Sequence, residues 1–312
     1  MKDRNVGMAL MGVTVLLWST IEVVSKVIQE DIPPLCIAFL RFFIGGFFLL
    51  PLVFVYGRRI DRNKIGWKDT VQFLLLSFLG ISAAFILYHK ALIWIDASSV
   101  ATLVSMVPLL VAPISIYYLK EKVGIVSLVG LSLGAVGIFI LYQSEESGYN
   151  SLIGSMIMIL AVFCFSIYTV FMKPINDRTD PKVTTSLSLL LGSLMMIPFL
   201  IFEGEPLVVA GLSWQSAAGI LYLSIFSVGL AYLFYFMSLN KLIISKGSSL
   251  LYLKPATASL IAWIFIDEYI SPIRIASIVV VSLSVYFIVR DEQIRGFLRK
   301  LRVKDIDEQG DD

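Results

Sequence analysis

A chain of 312 residues that is 58% hydrophobic, only 15% charged and has a mean hydropathy of +0.86 is too apolar to be a soluble domain. Its net charge of +2 gives no sign of a nucleic-acid partner, and the placement of the charges carries the information instead. A single histidine, two widely separated cysteines and the lack of HExxH or GxSxG leave no nucleophile, metal or cofactor cluster, so an enzyme is not expected.

A membrane-spanning helix needs about 20 apolar residues. The first predicted span, Gly7–Ile28, follows Met1–Asn5. Its apolar run is too long for a signal-peptide core and no small-residue cleavage site follows, so it reads as a retained helix. Next come Pro34–Tyr56, Asp69–Tyr88, Ala97–Leu119 and Gly124–Tyr142. The last of these carries Gly130 and Gly134, a small-xxx-small pair that would pack closely on the tenth span or on a second copy of the chain, leaving monomer and homodimer both open. Five further spans follow: Leu152–Lys173, Pro181–Phe202, Ser216–Met237, Lys246–Ile266 and Pro272–Arg290. Cys36 and Cys164 fall inside apolar segments and read as buried thiols. In residues 291–312, Ile294, Phe297, Leu298 and Leu301 alternate with basic residues before an acidic end. That tail reads either as an amphipathic surface helix or as a stop signal with a disordered end.

The chain also repeats itself. A shift of 147 positions aligns Gly7 with Gly154, Ser19 with Ser166, Pro34 with Pro181, Gly45 with Gly192 and Pro51 with Pro198. Trp67 then meets Trp214, Tyr88 meets Tyr235, Pro108 meets Pro255 and Glu121 meets Glu268. Three prolines in register mark shared helix ends or kinks, because each lacks a backbone donor. Each copy (residues 1–147 and 148–290) holds five spans, an odd number, so the second enters the membrane from the opposite side. The predicted fold is an all-α integral membrane protein of ten transmembrane helices in two inverted-topology five-helix repeats. That is transporter architecture, with the solute path at the seam.

Lysine and arginine set the orientation. With the N-terminus in the cytoplasm, 20 of the 25 basic residues fall on the cytoplasmic side. Only Lys26, Lys90 and Arg274 fall outside, while Arg41 and Lys254 lie within spans. Both termini, and the tail, are therefore expected in the cytoplasm of a cell-membrane protein.

The stretch ALIWIDASSVATLVSMVPLL with Glu121 after it, and its partner SLNKLIISKGSSLLYLKPAT with Glu268, resemble the EamA-type branch of the drug/metabolite transporter superfamily. Trp18-Ser19, Lys26 and Arg41 fit the same pattern, and the resemblance runs from about Gly7 to Arg290. It implies a central cavity closed alternately on each side and export or exchange of small metabolites, often amino acids, without ATP.

Each charge inside a span needs an account, since an ion at mid-bilayer costs a few kcal/mol or more. Glu22 lies about 22 Å into its helix from the cytoplasmic end, and Arg41 about 10 Å into the next from the other, so they share a level. Glu22 either binds a substrate ammonium or a proton, or is locked in an ion pair with Arg41. Trp18 sits one turn away on the same face. Lys254 precedes Pro255, whose missing donor frees a carbonyl one turn back; the cation would hold a carboxylate or phosphate, or snorkel to the surface. Tyr88, Tyr168, Tyr232, Tyr235 and Tyr252 offer polar-tipped rings, with a place in the interfacial belt as the alternative. Glu121 and Glu268 each precede a helix N-terminus, the fifth and the tenth, which favours a structural role. His89 is expected near the outer surface.

These observations predict a secondary transporter that exports or exchanges a small polar or amphipathic metabolite by alternating access, with amino acids leading and proton coupling open. A lipid-linked sugar or drug flippase is the alternative within the class. A membrane-embedded enzyme and a passive channel are the alternatives outside it.

Overall fold

The computed structural model describes residues 2–28, 32–59, 65–95, 97–143, 152–205, 211–266 and 270–295. Helices are the only regular secondary structure among them. The first copy comprises α1 (Lys2–Ser19), α2 (Ile21–Ile28), α3 (Pro34–Tyr56), α4 (Trp67–Ser77), α5 (Ala84–Ala91), α6 (Ala97–Val104), α7 (Val107–Tyr118) and α8 (Ile125–Gln143). The second comprises α9 (Leu152–Arg178), α10 (Pro181–Glu203), α11 (Trp214–Tyr222), α12 (Ala231–Lys241), α13 (Ile244–Ser248), α14 (Lys254–Ile266) and α15 (Pro272–Val289). Two π-helical stretches, Phe78–Ala83 and Leu223–Leu230, fuse α4 to α5 and α11 to α12 into single rods.

Among the described residues, eight helical rods are long and apolar enough to cross a bilayer. The first and ninth expected spans are helical but interrupted. Thr20 separates α1 from α2, and a 3-10 stretch, Ser249–Leu253, separates α13 from α14. Several boundaries also differ from expectation. The sixth span does not stop at Lys173 but runs through Pro174 to Arg178. Lys173 Nζ braces that turn by reaching Asp177 at 2.8 Å and the Asn240 carbonyl at 3.2 Å. The next helix starts sharply because Pro181 is its first residue and Asp180 caps it, accepting from the Lys182 amide at 2.8 Å.

The offset of 147 governs contacts as well as residue types. A β-carbon on Gly45 would lie 2.6 Å from the Ser224 carbonyl and 3.0 Å from Val228; one on Gly192 would lie 2.9 Å from the Ser77 carbonyl and 2.6 Å from Ile81. These are the same two contacts with the copies exchanged. Only glycine lets α3 approach the α11–α12 rod, and α10 the α4–α5 rod, this closely. Ser19 and Ser166 both donate to the carbonyl four residues earlier at 2.7 Å, and so do Ser77 and Ser224, at 2.8 and 2.6 Å. Even the irregularities match, since both π stretches and the breaks at Ser105–Met106 and Ser249–Leu253 stand in register.

The small-residue face of α8 is filled from within the chain. Ser284 of α15 donates to the Gly130 carbonyl and Ser277 to the Gly137 carbonyl, each at 2.7 Å. A β-carbon on Gly130 would meet Ile288 at 2.6 Å.

Ion pairs identify the two ends of the bundle. Arg4 reaches Glu292, Lys241 reaches Asp3 and Arg178 reaches Asp69, so both terminal regions gather at one face. At the other face Lys90 pairs with Glu203, and Glu205 accepts from the Cys36 amide at 2.8 Å. Many large apolar side chains are exposed around the bundle, among them Phe54, Trp67, Phe139, Phe202 and Trp214, as a lipid-facing surface requires. Cys36 and Cys164 are both buried free thiols. The tail is helical over residues 291–295; Phe297, Leu298 and Leu301 lie outside the described residues.

Candidate functional site

Between the copies lies a cavity with about 800 Å3 of space free of protein atoms, the open solvent at its mouth included. It is built at the discontinuities of the fold. Arg41 and Phe42 come from α3, Phe85 and Tyr88 from α5, Met158 and Phe165 from α9, Ser227 and Tyr232 from the rod containing α12, and Lys254 from the first turn of α14. Trp18 enters from the end of α1, beside the break at Thr20.

The walls are aromatic. Trp18 meets Tyr232 edge-on at 5.2 Å and Phe165 at 6.2 Å, and Phe42 meets Phe85 at 4.5 Å. Two cations stand among these rings. The Arg41 guanidinium carbon lies 5.0 Å from the Phe85 ring centre and 5.3 Å from that of Phe42, within cation–π range. Arg41 and Lys254 are only 6% and 7% exposed, so neither extends to an aqueous surface. They come from opposite copies, and their repeat positions hold Ser188 and Val107, neither of them charged.

Of the residues singled out from sequence, Trp18, Arg41, Tyr88, Tyr232 and Lys254 thus come together. The side chain of Glu22 lies outside the described residues, as do those of Lys26 and Glu268. Tyr168, Tyr235 and Tyr252 do not line the cavity. The phenol of Tyr168 pairs with the Ser188 hydroxyl at 2.8 Å and that of Tyr235 with the Thr169 hydroxyl at 3.1 Å, while Tyr252 donates to the Leu131 carbonyl at 3.3 Å. All three are fully buried. Helix rotation turns them into the packing between rods.

Two further expectations change. The carbonyl that Pro255 leaves without its helical donor, that of Leu251, accepts from the Lys254 amide through the 3-10 turn. Glu121 does sit at a helix N-terminus, but at that of α13 in the other copy instead of the adjacent α8. It accepts from the Ile244 amide at 2.6 Å, and from the Ser245 amide and hydroxyl at 3.0 and 2.7 Å. His89 stacks edge-on against Tyr88, and both of its ring nitrogens are buried without a hydrogen-bond partner.

Sequence reasoning passed over Phe42, Phe85, Phe165 and Ser227. The repeat held a signal for two of them, since Phe165 is the mate of Trp18 and Phe85 the mate of Tyr232.

An all-helical bundle with a lipid-facing exterior and a charged cavity at the seam of two repeats is a multi-pass membrane transporter fold. The chain belongs to the EamA-like transporter family, whose description matches it twice, over residues 5–143 and 152–290. An uncharacterized transporter of Archaeoglobus fulgidus is 25% identical over 281 residues, covering 90% of this chain and 98% of that one. The uncharacterized transporter YoaV of Bacillus subtilis is 27% identical over 270 residues, or 86% and 90% of the two chains. A chloroplastic WAT1-related protein of Arabidopsis thaliana is 26% identical over 282 residues, covering 87% of this chain and 66% of its own. One crystal structure shares the fold at a TM-score of 0.76 and 17% identity, over 90% of this chain and 95% of that one.

Proposed function

We propose that this chain is a secondary transporter of the cell membrane that exchanges or exports a small metabolite bearing a carboxylate, with amino acids as the leading class. In this reading ten spans form two inverted five-helix copies, the termini are cytoplasmic, and the cavity opens alternately to the two sides. The observation that carries it is the meeting of Arg41 and Lys254, contributed by opposite copies, in one aromatic cavity. A pair of buried cations suits an anionic group, because charge-assisted hydrogen bonds are about twice as strong as neutral ones. The surrounding rings of Trp18, Phe85, Tyr88 and Tyr232 suit the apolar or amphipathic body of the solute. Since the two cations belong to different copies, any rocking of one copy on the other changes their separation. Grip and release are then coupled to the motion itself.

The test is counterflow into liposomes that contain the purified protein, loaded with a mixture of unlabelled amino acids and supplied with each labelled one in turn. Arg41→Gln and Lys254→Met each remove one charge-assisted contact and should weaken apparent affinity about 10- to 100-fold. Undiminished exchange by both variants removes these residues from the site.

A further inference from the structure

The two copies have the same sequence register but not the same shape. Trp18, Ile21, Arg41 and Tyr88 of the first copy line the cavity. Their mates at an offset of 147 are Phe165, Tyr168, Ser188 and Tyr235. Phe165 also reaches the cavity, but the other three are sealed in a fully buried aromatic and hydroxyl cluster. In that cluster Tyr168 pairs with Ser188, Tyr235 with Thr169, and Phe236 packs 5.1 Å from Tyr168 and 5.2 Å from Tyr235. Arg41 lies about 10 Å along α3 from the face opposite the termini, and Ser188 lies the same distance along α10 from the termini face. One set therefore lines the cavity nearer one face, and its mate is packed shut nearer the other.

The scaffold around both sets is equivalent, as the Gly45–Ser224 and Gly192–Ser77 contacts show. One difference sits in the first helix of each copy. It is broken at Thr20 in the first copy, whereas α9 runs unbroken through the corresponding position in the second. One molecule thus contains the same unit in two conformations, and exchanging them makes the alternate state.

We propose that Tyr168, Thr169, Ser188 and Tyr235 are a second solute-contact set, which opens to the termini face when the present cavity closes. This rests on the alternating-access reading above. Cargo then leaves a cavity held by Arg41 and Lys254 past four neutral hydroxyls, which bind an anionic group more weakly than a guanidinium does. The transporter holds its solute more tightly when open to the face opposite the termini than when open to the termini face. The tyrosines absent from the present cavity are contacts of the other state.

The experiment uses the full chain with Cys36→Ala and Cys164→Ala, in sealed vesicles of both orientations, probed with a membrane-impermeant maleimide. Val104→Cys reports on the present cavity and Ser188→Cys on the second set, with Thr169→Cys as an alternative reporter if Ser188→Cys does not accumulate. Val104→Cys should be labelled only from the face opposite the termini, and Ser188→Cys only from the termini face. Tyr235→Phe keeps the ring and removes one hydrogen bond, so it should speed labelling of Ser188→Cys about 2- to 10-fold. It should also slow labelling of Val104→Cys. Labelling of Ser188→Cys from the opposite face, or from neither face while Val104→Cys reacts, overturns the proposal. If counterflow by the unmodified protein is intact in that case, only the second site falls. If no saturable counterflow exists, the transport reading falls with it.

Discussion

The indole Nε1 of Trp18 donates to the carbonyl oxygen of Ser227 over 3.0 Å, joining the end of α1 to the π-helical stretch of the other copy. The Ser227 hydroxyl answers by donating to the Leu17 carbonyl at 3.2 Å. A π turn leaves carbonyls poorly aligned for their own helix, and a side chain from a neighbour takes one up. Trp18 is consequently both a wall of the cavity and a strut between copies. Trp18→Phe keeps most of the ring contact and loses this bond, so it should cost about 0.5–1.5 kcal/mol. Trp18→Ala should cost about 3–5 kcal/mol. Thermal unfolding of the detergent-solubilised protein separates the two.

Gly45→Ala and Gly192→Ala should destabilise by similar amounts, about 1–3 kcal/mol each, because both press a methyl group against a backbone carbonyl of the opposite copy. Gly12→Ala is the control: it has nothing within 4 Å and sits inside α1, where alanine is the better helix former. A marked inequality between the Gly45 and Gly192 variants would argue against equivalent packing of the two copies.

Glu121→Ala strips the acceptor from two amides and a hydroxyl at the start of α13, a loss of about 1–3 kcal/mol for buried donors left unmet. Glu121→Gln retains one carbonyl oxygen and should recover part of that loss. Unfolding midpoints of the two variants that coincide with the native value would show that the contact contributes nothing.

Near the termini face, Asp291 is fully buried. Burial opposes its ionisation, yet hydrogen bonds from Lys246 at 3.0 Å and Arg295 at 2.9 Å outweigh that and hold its pKa below the ordinary 3.8. Because the folded-state value lies below the unfolded one, ionised Asp291 adds stability above the unfolded pKa, and that addition is lost as pH falls through the folded value. Asp291→Asn should therefore lower the unfolding temperature at pH 7 and narrow the gap to the native protein as the medium is acidified below about pH 4. A gap that is constant with pH would exclude the linkage.

Much of this molecule was legible before any coordinate. Hydropathy placed the rods because apolar length is a local property of the chain; it missed the breaks at Thr20 and Ser249–Leu253 and misplaced rod ends such as those at Lys173 and Trp67. The offset of 147 carried further, into the points where the two copies pack on each other. Gly45 and Gly192 were paired by sequence and pack identically. Arg41 and Lys254 stood out because hydrocarbon does not tolerate an unexplained cation.

What sequence by itself determined is the set of apolar rods, their twofold repetition and the few charges embedded in them. All three depend only on composition read along the chain. The tertiary structure alone decided which ring faces which neighbour. Tyr88 and Tyr232 meet the cavity while Tyr235, three residues beyond Tyr232 and the repeat mate of Tyr88, is sealed against Thr169, because the neighbours a ring meets are set by how the rods pack and not by its place along the chain. Glu121 likewise found its partners at the start of α13, 123 residues away, because a carboxylate goes to the nearest unmet amides in space and not to the nearest in sequence.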